Sequence, residues 1–327
     1  MARNGILVTG GTGLVGVYAV AMLLEKGERP IVYDVKLNDW LLQAVGVDLK
    51  AVGLVQGDIL DLPRLSSVIR EHGINRVIHL AASMGEEVQR QPYSGVRLNV
   101  LGTLNVLEAA RLEGISRVIY GSSGSTYLGS VNKETKKIDE TIPLNPPSLY
   151  AATKASSELL GHSYAQGFGF EFICVRYVGG LYGPSPVALK STREQAIGAM
   201  VRAAIKGQAA SIQWPYGPSE LVYGKDAAKG TVLACLKENL KDHLFHIGSG
   251  ELIGGDDVFQ ALKRQFNNLK ITLQKKGKAP LPHPEFPILN DNSRTREQLG
   301  YEPDYPLEKA LGDYATTLRK IESRPSH

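Results

Sequence analysis

Short runs of consecutive apolar residues alternate, through the first half of the chain, with longer stretches whose apolar positions recur at helical spacing. Ile6-Leu7-Val8-Thr9 leads into Leu14 to Lys26 and then Ile31-Val32-Tyr33-Asp34, which is the order of a βαβ unit. Further strands are predicted at Leu54-Val55-Gln56, Arg76 to Leu80, Arg117 to Tyr120 and Glu171 to Arg176, each separated by helix-length sequence. Strands apolar at successive positions are buried on both faces, as in a parallel sheet covered by helices. The helical patterns over Val96 to Arg111 and Tyr150 to Ala165 spread leucines around much of their circumference, so these helices pack against the sheet or another subunit. The expected fold class is therefore α/β, a Rossmann-type doubly wound parallel sheet. Past Val178 the texture changes: Gly179-Gly180-Leu181-Tyr182-Gly183-Pro184-Ser185-Pro186 reads as an irregular exit from the sheet. Residues 225 to 238 look helical and His243 to Ile247 like one more strand, returning the chain to the sheet. This predicts a main domain from 1–178 and 221–250, with a smaller interleaved C-terminal lobe from 179–220 and 251–327.

Composition removes alternatives rather than adding any. The 327 residues are 43% apolar and 21% charged, ordinary globular usage, and 37 Lys and Arg against 33 Asp and Glu leave a net charge of +4. So small an excess builds no strong field, and nucleic acid is not the expected partner. Cys174 and Cys235 stand in no metal or redox spacing, which suits reduced thiols. His243 and His246, three apart on a strand, would face opposite ways, so no metal site is expected. No apolar run approaches the roughly 20 residues that span a bilayer, and the N-terminus opens at once on a strand. A cytoplasmic protein outside the membrane is expected. Lys275-Lys276-Gly277-Lys278 reads as a solvated loop.

Candidate chemistry begins directly after the first strand. Gly10-Gly11-Thr12-Gly13-Leu14-Val15-Gly16 lets the backbone turn sharply, approach a pyrophosphate and seat the next helix close to the strand. The unpaired N–H groups and positive dipole end of that helix then favour the anion. Val15-Gly16-Val17 ends the turn where a P-loop needs Gly-Lys-Ser/Thr, which disfavours nucleotide hydrolysis. Asp34 ends the second strand, where it can accept hydrogen bonds from an adenosine ribose and repel a 2′-phosphate. NAD is the expected cofactor, and Lys36 close by leaves NADP use open. The main domain is thus read as dinucleotide-binding and the smaller lobe as substrate-binding.

Tyr150 and Lys154 are four residues apart, one above the other on one helix face. Ser122-Ser123-Gly124-Ser125-Thr126 follows a strand of the same sheet, at the carboxyl end where ligands of open α/β sheets lie. Interconverting a secondary alcohol and a ketone requires a group that removes the hydroxyl proton. A tyrosine near pKa 10 is too weak a base unless perturbed. Lowering it by about three units takes roughly 4 kcal/mol, about what one cation 4 Å away supplies at an effective dielectric near 20. Lys154 is the candidate cation, and a serine hydroxyl would orient the reacting oxygen.

These residues resemble those of the extended short-chain dehydrogenases/reductases, the NAD-dependent epimerase/dehydratase family, and the resemblance extends along nearly the whole chain. Gly10 to Gly16 resembles the family's turn and Asp34 its ribose ligand. Asp58-Ile59 is similar to its Asp-Ile near the adenine, and His79-Leu80-Ala81-Ala82 to its fourth-strand segment beside the cofactor. Asn99 resembles the Asn of the next helix, Ser123 the active-site Ser/Thr, Tyr150 and Lys154 the catalytic pair, and Leu299-Gly300-Tyr301-Glu302-Pro303 the closing motif. The resemblance implies catalysis by Ser123, Tyr150 and Lys154, with Lys154 also holding the ribose, and commonly a dimer formed through two helices. Ser122 and Tyr177 are further cofactor candidates beside Leu80, Ala81 and Ala82. Met84 and Gly85, with Glu86, and Ser125 and Thr126, with Tyr127, are candidates to line the substrate pocket. His79 is read as a buried, hydrogen-bonded residue rather than a base.

The departures concern the substrate. Gly124 and Ser125 stand where dehydratases carry an Asp-Glu pair, so sugar dehydration is not expected. Nucleotide-sugar epimerases usually place an Asn after the sixth strand and an Arg ahead of Leu221-Val222-Tyr223. Here Val178-Gly179-Gly180 and Ser219 stand there, with Lys190, Arg193 or Arg202 as substitutes. The expected function is an NAD-dependent oxidoreductase interconverting a secondary alcohol and a ketone. The alternatives are a UDP-sugar epimerase with tightly bound NAD and, third, a non-catalytic NAD sensor, which would ordinarily dispense with Tyr150 and Lys154.

Overall fold

In a computed structural model of the chain, the described residues are 4–135, 138–185, 192–214, 217–267, 269–275 and 287–323. Lys190 and most of the basic run at 275–278 lie outside them. The strands are β1 (Gly5–Thr9), β2 (Arg29–Asp34), β3 (Gly53–Gln56), β4 (Ile74–His79), β5 (Arg117–Ser123), β6 (Glu171–Tyr177), β7 (Gly180–Tyr182), β8 (Ala210–Trp214), β9 (Ser219–Tyr223), β10 (Leu244–Ile247), β11 (Leu252–Ile253) and β12 (Ile271–Lys275). The helices are α1 (Leu14–Glu25), α2 (Asp39–Ala44), α3 (Leu62–Glu71), α4 (Gly85–Arg90), α5 (Pro92–Val96), α6 (Gly102–Glu113), α7 (Leu149–Phe168), α8 (Thr192–Lys206), α9 (Gly224–Leu236), α10 (Gly255–Gln265), α11 (Ser293–Leu299) and α12 (Leu307–Glu322).

Seven parallel strands in the order β10-β6-β5-β4-β1-β2-β3 form a Rossmann-type α/β sheet whose strand order reverses between β1 and β4. Side-chain alternation assigns its two faces. Ile6, Val8, Val32, Ile78, Ile119, Ile173 and Val175 pack on one side with α1 and α9. Leu7, Tyr33, Val77, Val118, Phe172 and Cys174 pack on the other with α3 and α6. A separate core gathers α8, α10 and α12 around Met200, Trp214, Leu262 and Leu311. Gly179 to Pro184 is more ordered than its composition predicts, because Gly180–Tyr182 pairs in parallel with β9 and β9 pairs with β11.

The helix predicted over Val96 to Arg111 is also divided. Residues Arg97–Leu101 form a π-helical turn between α5 and α6. That wider turn carries Asn99 inward, and the Asn99 carbonyl accepts from the hydroxyls of Thr103 at 2.6 Å and Ser157 at 3.1 Å. Helix α7 starts where the Ser148 hydroxyl accepts from the Ala151 N–H and ends at Gly169 with φ +74°. The cap therefore sets which residues of α7 meet the sheet.

One turn beyond Lys154, Glu158 accepts from Arg176 at 3.0 and 2.7 Å and from the Ser122 hydroxyl, with both charged side chains buried. Arg176 also lies over the Tyr127 ring. Removing one partner of such a pair leaves an uncompensated buried charge. Glu158→Ala is expected to lower the unfolding free energy by about 3–5 kcal/mol, read from the urea midpoint; a loss under about 1 kcal/mol would remove this pair from the account of stability.

Candidate active site

At the carboxyl ends of β1 and β4 the chain leaves the sheet on both sides of its reversal point. Gly10 takes φ +68°, and a Cβ there would lie 2.7 Å from the Ala81 nitrogen. At Gly16 it would lie 2.2 Å from the Gly10 carbonyl, so the turn closes only with glycine at both positions. Gly13 stands at the N-cap of α1 without any side-chain cap, so the first turn of α1 keeps its orphan donors for a ligand. Leu14 packs toward Gly183 and Gly224, while Val15 is buried in the core. Thr12 binds Asp34, whose carboxylate accepts both its N–H and its hydroxyl. Asp58 accepts the Tyr33 hydroxyl at its carbonyl and the Leu60 N–H at its carboxylate, and Ile59 is buried beneath Gly102. A glycine cradle, a bare helix N-terminus and an acidic strand end form the donor and acceptor set that a dinucleotide requires.

Leu80, Ala81 and Ala82 run along this edge, and Ser83 is held from below by Asn99. The Asn99 amide oxygen accepts from Ser83 N at 2.7 Å, and its NH₂ donates to Ser83 O and to Thr153 Oγ1. Asn99 is 2% exposed with its amide spent in this way, so it supports the cofactor-side segment where direct contact was expected. His79 lies between Thr9 and Thr103. Thr103 spends its proton on Asn99 O, so Nε2 of His79 donates to Thr103 and Nδ1 accepts from Thr9. Burial, with Lys154 nearby, pulls the His79 imidazole down to about 3, so it stays neutral and is no base.

Tyr150 lies in the first turn of α7, half-buried, with its ring about 4.0 Å from where a Cβ of Gly85 would stand. The Ser123 hydroxyl is close enough to favour the ionised form of Tyr150. Ser123 Oγ in turn accepts from the N–H and the hydroxyl of Ser125, at 3.1 and 2.9 Å. The Lys154 ammonium donates to Gly121 O at 2.7 Å and sits 4.8 Å from the centre of the Tyr120 ring. Contrary to the sequence reading, Lys154 does not hold the Tyr150 hydroxyl down in this arrangement. Burial pushes that hydroxyl up to about 12, opposed by the Ser123 hydroxyl and assisted by Glu194. The ammonium spends its charge on the Gly121 carbonyl and the Tyr120 face, and burial pulls it down to about 8.

Three further assignments are corrected. The Ser122 hydroxyl is taken by Glu158, and Thr126 is fully buried with its hydroxyl on Ser123 O. The Tyr177 hydroxyl pairs with Thr231 at 2.7 Å, leaving only its ring against the edge at Gly121. Met84 is 49% exposed at the start of α4, beside Gly85, where a ligand can reach it. Arg202 pairs with Glu322, and Arg193 reaches the Gly217 carbonyl. Thr153 was missed: it links Asn99 to the Tyr150 carbonyl, and its place three residues after the tyrosine was the available signal. Among the described residues no three His, Cys, Asp or Glu side chains could hold a metal, and no helix is long and apolar enough to cross a membrane.

The pattern of the NAD dependent epimerase/dehydratase family matches residues 6–248. The chain belongs to that family. It is 27% identical to a UDP-glucose 4-epimerase of Halalkalibacterium halodurans over 96% of this chain and 95% of that protein. It is 32% identical to a UDP-glucuronate 4-epimerase of Thermodesulfobacterium geofontis over 55% of this chain and 56% of that one. Among solved structures, the UDP-glucose 4-epimerase of Brucella ovis in complex with NAD superposes with TM-score 0.78 at 25% identity, covering 95% and 97% of the two chains. That of Thermus thermophilus with NAD has TM-score 0.80 at 24% identity, covering 96% and 99%, and shares the fold.

The Lys154 ammonium, ordinarily near 10.5, sits near 8 when folded. The unfolded chain therefore binds more protons between about pH 8 and 10.5, so stability rises across that window and the buried charge is a full cost below it. The cost approaches about 3 kcal/mol, and a variant without the ammonium gives up the Gly121 hydrogen bond, worth about 1 kcal/mol. Lys154→Met should be more stable than the parent by about 1–2 kcal/mol at pH 7, with the gain fading toward pH 10.5 in denaturant titrations.

Proposed function

We propose that this enzyme is an NAD-dependent epimerase that inverts a carbinol carbon of a nucleotide-diphosphate sugar, in the manner of the UDP-glucose 4-epimerases to which it is similar. The observation that carries this reading is the placing of Tyr150 beside Ser123 on the sheet edge where Lys154 and the glycine cradle also stand. NAD would lie with its pyrophosphate on the N-terminus of α1 and its adenosine ribose at Asp34. Bound there, NAD would supply the hydride acceptor, and then the hydride donor, for the carbinol carbon. The residues of the chain handle the proton. Ser123 receives the sugar hydroxyl, Tyr150 accepts its proton as the carbon is oxidised, and Tyr150 returns that proton when the other epimer forms. Lys154, one helical turn from Tyr150, spends its charge on Gly121 and Tyr120, so the phenolate that accepts the proton would draw its stabilisation from the positive ring of bound NAD. Residues 179–220 and 251–327 would form the lobe that holds the rest of the substrate.

A second reading, a net dehydrogenase of a secondary alcohol, is favoured by two features. Gly179 has φ +82°, and a Cβ there would lie 2.1 Å from the Glu220 carbonyl, so no side chain fits where nucleotide-sugar epimerases usually carry Asn. Ser219, at the approximate position of their Arg, turns its hydroxyl to the same carbonyl.

Incubation with NAD and panels of UDP-sugars, polyols, hydroxy acids and aromatic alcohols separates the two readings. The epimerase converts a UDP-sugar with flat absorbance of reduced dinucleotide, and the dehydrogenase accumulates reduced dinucleotide with a free alcohol. Tyr150→Phe should lower kcat by about 10²–10⁴ while leaving NAD affinity within about tenfold. Retained turnover in that variant overturns the mechanism.

We also infer a homodimer. Tyr93, Leu101, Leu112, Leu159 and Phe168, on α5, the π turn, α6 and α7, are exposed at 82%, 42%, 53%, 60% and 54%. Such a face is uncommon on a monomer. Light scattering should give twice the chain mass, and Leu159→Glu should shift it toward the monomer. A monomeric parent protein contradicts the inference.

A further inference from the structure

Thr12, in the glycine turn, is 1% exposed and makes contacts that a turn residue does not need for turning. Its N–H and its hydroxyl both donate to one carboxylate oxygen of Asp34, Oδ2, at 3.2 and 2.8 Å. The same single proton is also within reach of the Lys36 carbonyl, 3.0 Å away in the segment that follows β2. Among the described residues nothing bonds the other oxygen, Oδ1, which stays available to a ligand. Donors converging on a carboxylate make stronger, shorter hydrogen bonds than neutral pairs do. Turning the half-buried Asp34 out to solvent would break both at once.

We propose that Thr12 is the positioning residue that sets dinucleotide choice, by fixing the charge of Asp34 so that a ribose diol is accepted and a 2′-phosphate is met by a carboxylate that cannot swing away. The inference rests on the NAD reading above. It differs from the turn's general role, because the pyrophosphate is common to NAD and NADP and a merely structural defect in the turn weakens both equally. Only a displaced Asp34 changes their ratio. Lys36, exposed two residues beyond Asp34, is then freed to meet a 2′-phosphate.

The test is calorimetric titration of NAD and NADP into the intact protein and its variants. Thr12→Val keeps the shape and removes the hydroxyl. It should weaken NAD about tenfold and leave NADP unchanged or tighter, so the NAD/NADP preference falls about tenfold, equivalent to about 1.4 kcal/mol. Thr12→Ser should restore the preference. In an Asp34→Asn background, Thr12→Val should change it less than about twofold, since the residue acts only through that carboxylate. If Thr12→Val does not fold, Thr12→Ala carries the same expectation. Equal weakening of both dinucleotides, or a shift that persists in Asp34→Asn, overturns the proposal. A parent protein that binds neither dinucleotide overturns the NAD reading and the clamp together, an outcome distinct from a parent that binds NAD but a variant with unchanged preference.

Discussion

A buried ammonium at the carboxyl edge of a parallel sheet is the constraint on which the rest of the site depends. Lys154 is 4% exposed, and burying a charge is expensive unless it is partnered. Its partners are a main-chain carbonyl of β5 and the face of Tyr120, both belonging to the sheet. Holding the cation there fixes the rotation of α7, and with it the residues one turn away in each direction. Tyr150 is brought to Ser123, and Glu158 to Arg176 and Ser122. Three titratable groups at four-residue spacing thus share one stripe of helix, and each is secured to a different point of β5 or β6.

The same arrangement divides labour between stability and chemistry. Glu158 and Arg176 neutralise each other in the core, whereas burial pushes the Tyr150 phenol up and pulls the Lys154 ammonium down. An environment that pushes the proton affinities of neighbouring groups apart, here up to about 12 and down to about 8, is the mark of an acid/base site. His79, beside them, is kept neutral by burial and the nearby Lys154, and through Thr9 and Thr103 it serves as a strut between β1 and α6. The polar groups beneath the edge are satisfied by one another, leaving the Tyr150 hydroxyl, Ser123 and the donors of α1 to face chemistry.

Much of this was legible in the sequence. Consecutive apolar residues in the strands identified a sheet covered on both faces, and Gly10, Gly13 and Gly16 with Asp34 identified a dinucleotide-binding turn, because each pattern reflects a local requirement of backbone or burial. The Tyr150–Lys154 spacing identified the face of α7. What escaped depends on pairings between residues far apart in the chain. Nothing local says that Ser122 gives its hydroxyl to Glu158, that Thr126 turns back on Ser123, or that Asn99 braces Ser83. The π turn at 97–101 hides inside an unbroken helical pattern, since one extra residue per turn leaves composition unchanged. The effect of Lys154 on Tyr150 was misjudged for a similar reason: spacing gives proximity along a helix, and the carbonyl and ring that capture the ammonium belong to β5.

The central claim is that the proton leaves the sugar oxygen for Tyr150 while the hydrogen on carbon is never exchanged with water. Following a UDP-sugar labelled with deuterium on the inverted carbon, by NMR in ordinary water, tests it most directly. The account predicts that the other epimer forms with the deuterium still on that carbon. Loss of the label to solvent as the epimer forms would contradict it.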